Sequence, residues 1–148
     1  MPRWRYGLDE VIRVMDEVID KQPERIDRRA EGSLGCVYAE HGDAACLVGV
    51  MLKSLGVEVR TLRALDREGK YIHESEHPYW RRFQPEARDL LAYLQRQNDG
   101  SWTWDKARER AFTVQRRWFE EGPEFRYYHR AFPGDWLTAD NYRKITEY

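Results

Sequence analysis

From Ala44 to Leu55 every position except Lys53 and Ser54 is apolar or glycine. A helix that is apolar on nearly every side has to be buried, because no face of it suits water. The run is also too short for a membrane span, which takes roughly 20 apolar residues. The segment is therefore expected to be the central helix of a packed core, and the rest of the chain has to supply layers around it. Gly49 sits in its middle at a cost of about 1 kcal/mol in helix propensity against alanine. That cost implies that a neighbouring helix or chain comes close there. Gly56 is placed to stop the helix, and Asp43, at the end of a His41-Gly42-Asp43 turn, is placed to cap its start.

The surrounding layers read as helices too. Leu8, Val11, Ile12, Met15, Val18 and Ile19 recur at three- and four-residue steps, the signature of one helix face, with acidic residues opposite and Pro23 ending the pattern. Lys21 to Gly35 alternates in sign and reads as a solvated connection or a short exposed helix. Cys36-Val37-Tyr38 reads as a short strand. Val57 to Leu65 alternates weakly, so it fits either a strand or a short helix. With Asp66-Arg67-Glu68-Gly69 as a turn and Lys70 to His73 as a partner, it would make a small two-stranded hairpin over 57–73. Pro85 opens a third helix with Ala87, Leu90, Leu91 and Leu94 as its stripe. Asn98-Asp99-Gly100 ends it. Ser101 or Thr103 then caps a fourth helix to about Glu121, with the stripe Trp104, Ala107, Ala111, Val114 and Trp118. The expected fold is mainly α: four or five helices around residues 44–55, with at most that one hairpin. A single domain spans 1–148, and an aromatic-rich extension, 122–148, packs on it with Thr138 to Ile145 as a last short helix.

Composition narrows the function classes. The 148 residues carry a net charge of −1, whereas a dedicated nucleic-acid-binding domain is usually basic overall. Two cysteines and a charged, aromatic N-terminus fit neither a disulfide scaffold nor a signal peptide, so a cytoplasmic setting is expected, with no membrane partner. Six Trp, nine Tyr and five Phe make the aromatic content unusual, and most of these rings are expected to fill the core. Rings of this kind either complete a core or anchor an interface.

Cys36-Val37-Tyr38, then Cys46-Leu47-Val48-Gly49 with Leu52 and Leu55-Gly56-Val57, and finally Leu94 to Trp104 (LQRQNDGSWTW) form a recognisable series. Over roughly Cys36 to Ala107 the chain resembles a group of small proteins from actinobacteria and their phages. Those proteins carry a Cys-x-Tyr, a CLVG-x-x-L-x-x-LGV helix and a Gln-x-Arg-Gln-Asp-x-Gly-like helix end before a Trp. The chain departs from them in a longer insert around Tyr71 to Arg82 and in its tail after Ala111. The resemblance implies a phage or phage-derived accessory protein that binds a host component, and no particular chemistry.

Four constellations carry possible chemistry. Cys36, His41 and Cys46 are spaced Cys-x4-His-x4-Cys, and thiolate and imidazole are ligands zinc prefers. The spacing is not that of a standard zinc knuckle, and Cys46 on a buried helix suits simple packing as well. Cys36 with His41 or His73, oriented by Asp43, would be a nucleophile, a base and an orienter, but no oxyanion or substrate motif accompanies them. Carboxylate pairs such as Asp9-Glu10 and Glu120-Glu121 are neighbours on a helix and point in different directions, so a solvated face is expected. The fourth constellation is stronger. Tyr79-Trp80-Arg81-Arg82-Phe83, Arg116-Arg117-Trp118-Phe119 and Phe125-Arg126-Tyr127-Tyr128-His129-Arg130 interleave guanidiniums with rings. Trp, Tyr and Arg dominate protein hot spots, and the same mixture binds single-stranded nucleic acid. The alternative is that the rings are buried with arginines lying over them. The expected function is a non-catalytic accessory protein that binds a protein partner through Trp80, Arg116, Arg117, Trp118, Phe125, Arg126, Tyr127, Tyr128, Arg130 and Trp136. Nucleic-acid binding by the same surface, or a zinc or thiol protein using Cys36, His41 and Cys46, are the alternatives. A central helix with a glycine packs as well in a homodimer as in a monomer.

Overall fold

A computed structural model describes residues 4–27 and 37–121 of the chain, the side chains of 114–121 excepted. The fold is mainly helical. Helix α1 (Leu8–Lys21) is followed by a two-residue hairpin, β1 (Ala39–Glu40) and β2 (Asp43–Ala44). Then come α2 (Leu47–Ser54), α3 (Val59–Glu68), a 3-10 helix (Pro78–Arg82), α4 (Pro85–Asp99) and α5 (Trp104–Glu121). Among the described residues no helix is long and apolar enough to cross a membrane.

Helix α2 is the centre. Leu47, Val48, Met51 and Leu52 are fully buried, and α1 and α4 pack directly against it. It starts three residues later than the apolar run suggests. Asp43 and Ala44 pair antiparallel with Glu40 and Ala39 instead, across a turn in which His41 (φ 52°) and Gly42 (φ 81°) are both left-handed. Two left-handed central residues match the right-handed twist of a tight hairpin. Asp43 therefore does not cap α2 and pairs with Lys53. The cap is Cys46, whose Sγ accepts from the Gly49 amide at 3.4 Å. Gly49 meets the expected close approach: an added Cβ would lie 2.1 Å from the Tyr38 carbonyl oxygen.

The small hairpin is thus at 39–44. Residues 57–73 form α3 and the turn after it, because Leu62 and Leu65 bury one helix face where strand alternation would have split them. Gly69 ends α3 in the left-handed conformation (φ 67°). Tyr38 lies beside the hairpin rather than in a strand. Asp66 of α3 anchors that segment by accepting from the amides of Tyr38 (2.8 Å) and Ala39 (3.0 Å).

In α1, Val11, Val14, Met15, Val18 and Ile19 are buried, while Leu8 and Ile12 are partly so. Helices α4 and α5 form an antiparallel hairpin. Ala87, Leu90, Leu91 and Leu94 face Trp104, Ala107 and Ala111 in one core, all fully buried, and Thr103 Oγ1 caps α5 at the Lys106 amide.

Residues 22–27 are a structural staple rather than a loose connection. The amides of Trp104 and Asp105 donate to the carbonyls of Arg25 (2.8 Å) and Pro23 (2.9 Å). The Asp27 carboxylate accepts from the Leu47 amide (3.0 Å), Asn98 Nδ2 (3.0 Å) and Trp104 Nε1 (2.8 Å). One side chain so ties the starts of α2 and α5 to the end of α4, and Arg25 lies 4.3 Å over the Trp104 ring. Lys21 to Glu24 and Ile26 are exposed, as a solvated connection would be, while Arg25 and Asp27 turn inward. The rest of that connection, 28–35, lies outside the described residues.

Candidate functional site

The first basic-aromatic stretch folds with its rings inward. Tyr79, Trp80 and Phe83 are buried, Trp80 at 2 % exposure, and they stack with Tyr6 in one aromatic cluster. Trp80 is therefore a core residue and not an interface anchor. Within the 3-10 helix Tyr79 and Trp80 are buried, while Pro78, Arg81 and Arg82 are exposed.

Those arginines lie at a junction of three segments. The amides of Arg5 and Tyr6 both donate to the Arg82 carbonyl (2.9 and 3.0 Å), and the Gln84 amide donates to the Tyr6 carbonyl (2.9 Å). Gln84 Oε1 in turn caps α1 by accepting from the Leu8 amide at 2.8 Å. The Arg5 guanidinium lies 5.5 Å from the Tyr6 ring centroid and that of Arg82 lies 5.0 Å from the Tyr79 ring. The two tyrosines share a hydroxyl–hydroxyl hydrogen bond of 3.3 Å. Burial, with that bond, pushes the Tyr79 hydroxyl well above its ordinary pKa, so that hydroxyl stays neutral. Each ring is covered on its outer side by a charged group, as the stacking alternative requires.

Arg116, Arg117 and Trp118 lie on the last turns of α5, and their side chains are outside the described residues. Phe125, Arg126, Tyr127, Tyr128, Arg130 and Trp136 are also outside them, as is the last short helix expected at Thr138 to Ile145. The backbone of α5 packs along α4. At the turn between them Trp102 is 39 % exposed, with the Arg110 guanidinium 4.5 Å from its ring.

The metal and thiol constellations are not assembled among the described residues. His41 stands at the hairpin tip with its side chain 91 % exposed, 3.7 Å from Glu40, whereas Cys46 is buried. Cys36 is outside the described residues, and no group of three His, Cys, Asp or Glu among them is arranged for an ion. Asp43 faces Lys53, so it orients neither histidine.

His73 has a different partner, Asp89 of α4, at 3.1 Å. Burial holds the His73 pKa below its usual value, against the opposing pull of Asp89. Its ring lies 5.6 Å from that of Tyr93. Around it the segment between α3 and the 3-10 helix is fastened to α4. Arg88 donates to the carbonyls of Ile72 and Ser75 (2.6 and 2.8 Å). Gln95 accepts from the Ile72 amide (3.0 Å) and donates to the Tyr38 hydroxyl (2.7 Å). A buried, shifted histidine with a carboxylate is the kind of pair that active sites use. Here Arg88 and Gln95 satisfy the loop backbone at Ile72 and Ser75, which is a structural task. Sequence reasoning missed this cluster because His73 and Asp89 are 16 residues apart on different elements. No family model matches the chain, and neither does a curated protein or a solved structure.

Proposed function

We propose that the chain is a small non-catalytic accessory protein, of phage or phage-derived kind, that binds a protein partner through an arginine surface. That surface is where the N-terminal segment and the 3-10 helix meet. The observation that carries the reading is the pair Arg5 and Arg82, each held over a buried tyrosine ring with its charged group outward. Arginine stacked on a ring is already ordered, so less entropy is lost when it meets a partner. Arg and aromatic residues are also the types that dominate protein hot spots. The motif resemblance to small phage proteins supports the setting. Arg81, Arg116 and Arg117 would extend the surface, with Trp118 and the rings of 125–136 as its apolar part.

The test is photo-crosslinking in an actinobacterial lysate, with p-benzoylphenylalanine at position 81 or, as a control, at position 13 on the outer face of α1. A discrete adduct from position 81 that survives nuclease, and is absent from position 13, is the expected result. An adduct removed by nuclease moves the function to nucleic-acid binding. No adduct, or the same adducts from both positions, overturns the reading.

A further inference from the structure

Arg5, Arg81 and Arg82 are exposed. None of the three has a carboxylate partner among the described residues, whereas Arg13, Arg25, Arg60 and Arg108 each face one. Helices α1 and α4 both begin at this junction, at Leu8 and Pro85, and the start of a helix is the positive end of its dipole. Unneutralised guanidiniums and two helix starts therefore superimpose positive potential at one place on a chain whose net charge is −1.

Resting on the proposed protein-binding reading, we propose that this junction docks a short carboxylate-rich segment of the partner. Two features select that occupant. First, the rings beneath the arginines are buried and covered, so they offer no face on which nucleic-acid bases could stack, and stacking is what single-strand binding relies on. Second, the positive spot is small. Asp9 and Glu10 in the first turn of α1, and Glu86 in that of α4, edge it. A long polyphosphate would run from the arginines onto these carboxylates. A short acidic segment would stay on the arginines, and the planar guanidinium fork fits a carboxylate with two parallel hydrogen bonds.

The probe is a fluorescein-labelled peptide of six glutamates, titrated with the full chain and read by fluorescence anisotropy. A 20-base-pair DNA duplex and a neutral Gly-Ser peptide are the comparisons. Binding of the glutamate peptide should be saturable and weaken as salt is added. It should fall by about tenfold in Arg5→Ala/Arg82→Ala, as loss of close charge pairs does, and stay unchanged in Arg13→Ala. Circular dichroism of the variants checks that these exposed substitutions leave the helices intact. Absence of binding, tighter binding of the duplex, or an equal loss in Arg13→Ala would overturn the proposal. If the position-81 crosslink survives nuclease while the peptide fails, the protein-binding reading stands and the acidic occupant falls.

Discussion

Gly49→Ala puts the packing of α2 to the sharpest test. In an unobstructed helix the change would stabilise, since alanine exceeds glycine by about 1 kcal/mol in helix propensity. Here the new Cβ would be 2.1 Å from the Tyr38 carbonyl oxygen and 2.9 Å from its carbonyl carbon. A carbon–oxygen contact settles no closer than roughly 3.3 Å, so the two backbones must part by about 1 Å. Tyr38 has little freedom to yield. Its carbonyl accepts from the Ala45 amide at 2.9 Å, its amide is held by Asp66 and its hydroxyl by Gln95. Overpacking of this kind costs about 1–3 kcal/mol, and each hydrogen bond lost adds about 1 kcal/mol. Set against the propensity gain, the net expectation is a loss of about 2 kcal/mol. At this chain length that lowers Tm by roughly 4–8 °C. Urea unfolding followed by tryptophan fluorescence should show a lower midpoint with an unchanged slope. A variant as stable as the parent, or more stable, would refute the close approach.

Other substitutions address separate parts of the fold. Asp27→Ala removes the acceptor shared by Leu47, Asn98 and Trp104 and should cost about 2–4 kcal/mol in urea unfolding, since buried donors are left unpaired; a loss below about 0.5 kcal/mol, the usual surface value, would show that the staple is unimportant. Trp80→Ala should cost about 3–5 kcal/mol as a core truncation, whereas an exposed anchor would leave the unfolding midpoint nearly unmoved. His73 has a lowered pKa in the folded chain, so the unfolded state binds its proton more readily. Its contribution is fully present above the ordinary histidine pKa of about 6.5 and is lost as pH falls towards the folded value. Stability should decline between pH 7 and pH 5 more steeply in the parent than in His73→Gln; parallel pH profiles would contradict the burial of a neutral imidazole.

Helices with a repeating apolar face were legible in the sequence. The stripes of α1, α4 and the start of α5 announce themselves because periodicity records burial directly. Gly49 was legible as a close approach, though its neighbour, the Tyr38 backbone, was not, since a long-range contact leaves no local pattern. The start of α2 was misplaced because Ala44 and Ala45 suit a helix as well as the edge of a hairpin, and the left-handed pair His41-Gly42 decided the matter. Residues 57–65 were ambiguous for the same reason: Val57 and Val59 favour a strand, and only Leu62 with Leu65 shows the helical step. Of the candidate surface, the arginines are visible in Tyr79 to Phe83, but the burial of Trp80 is not. A stretch that alternates rings and arginines does not say which of them faces water. Nor does sequence show that Arg5, from the far end of the chain, comes to lie beside Arg82, or that Asp27 and Asp89 are spent on satisfying other elements.

The most direct test of the protein-binding account is affinity capture from an actinobacterial lysate, with the intact chain and the variant Arg5→Ala/Arg81→Ala/Arg82→Ala side by side, each with and without nuclease. The account expects one stoichiometric protein band with the intact chain, resistant to nuclease and much reduced with the variant; the same band at full strength with the variant, or no nuclease-resistant band at all, would contradict it.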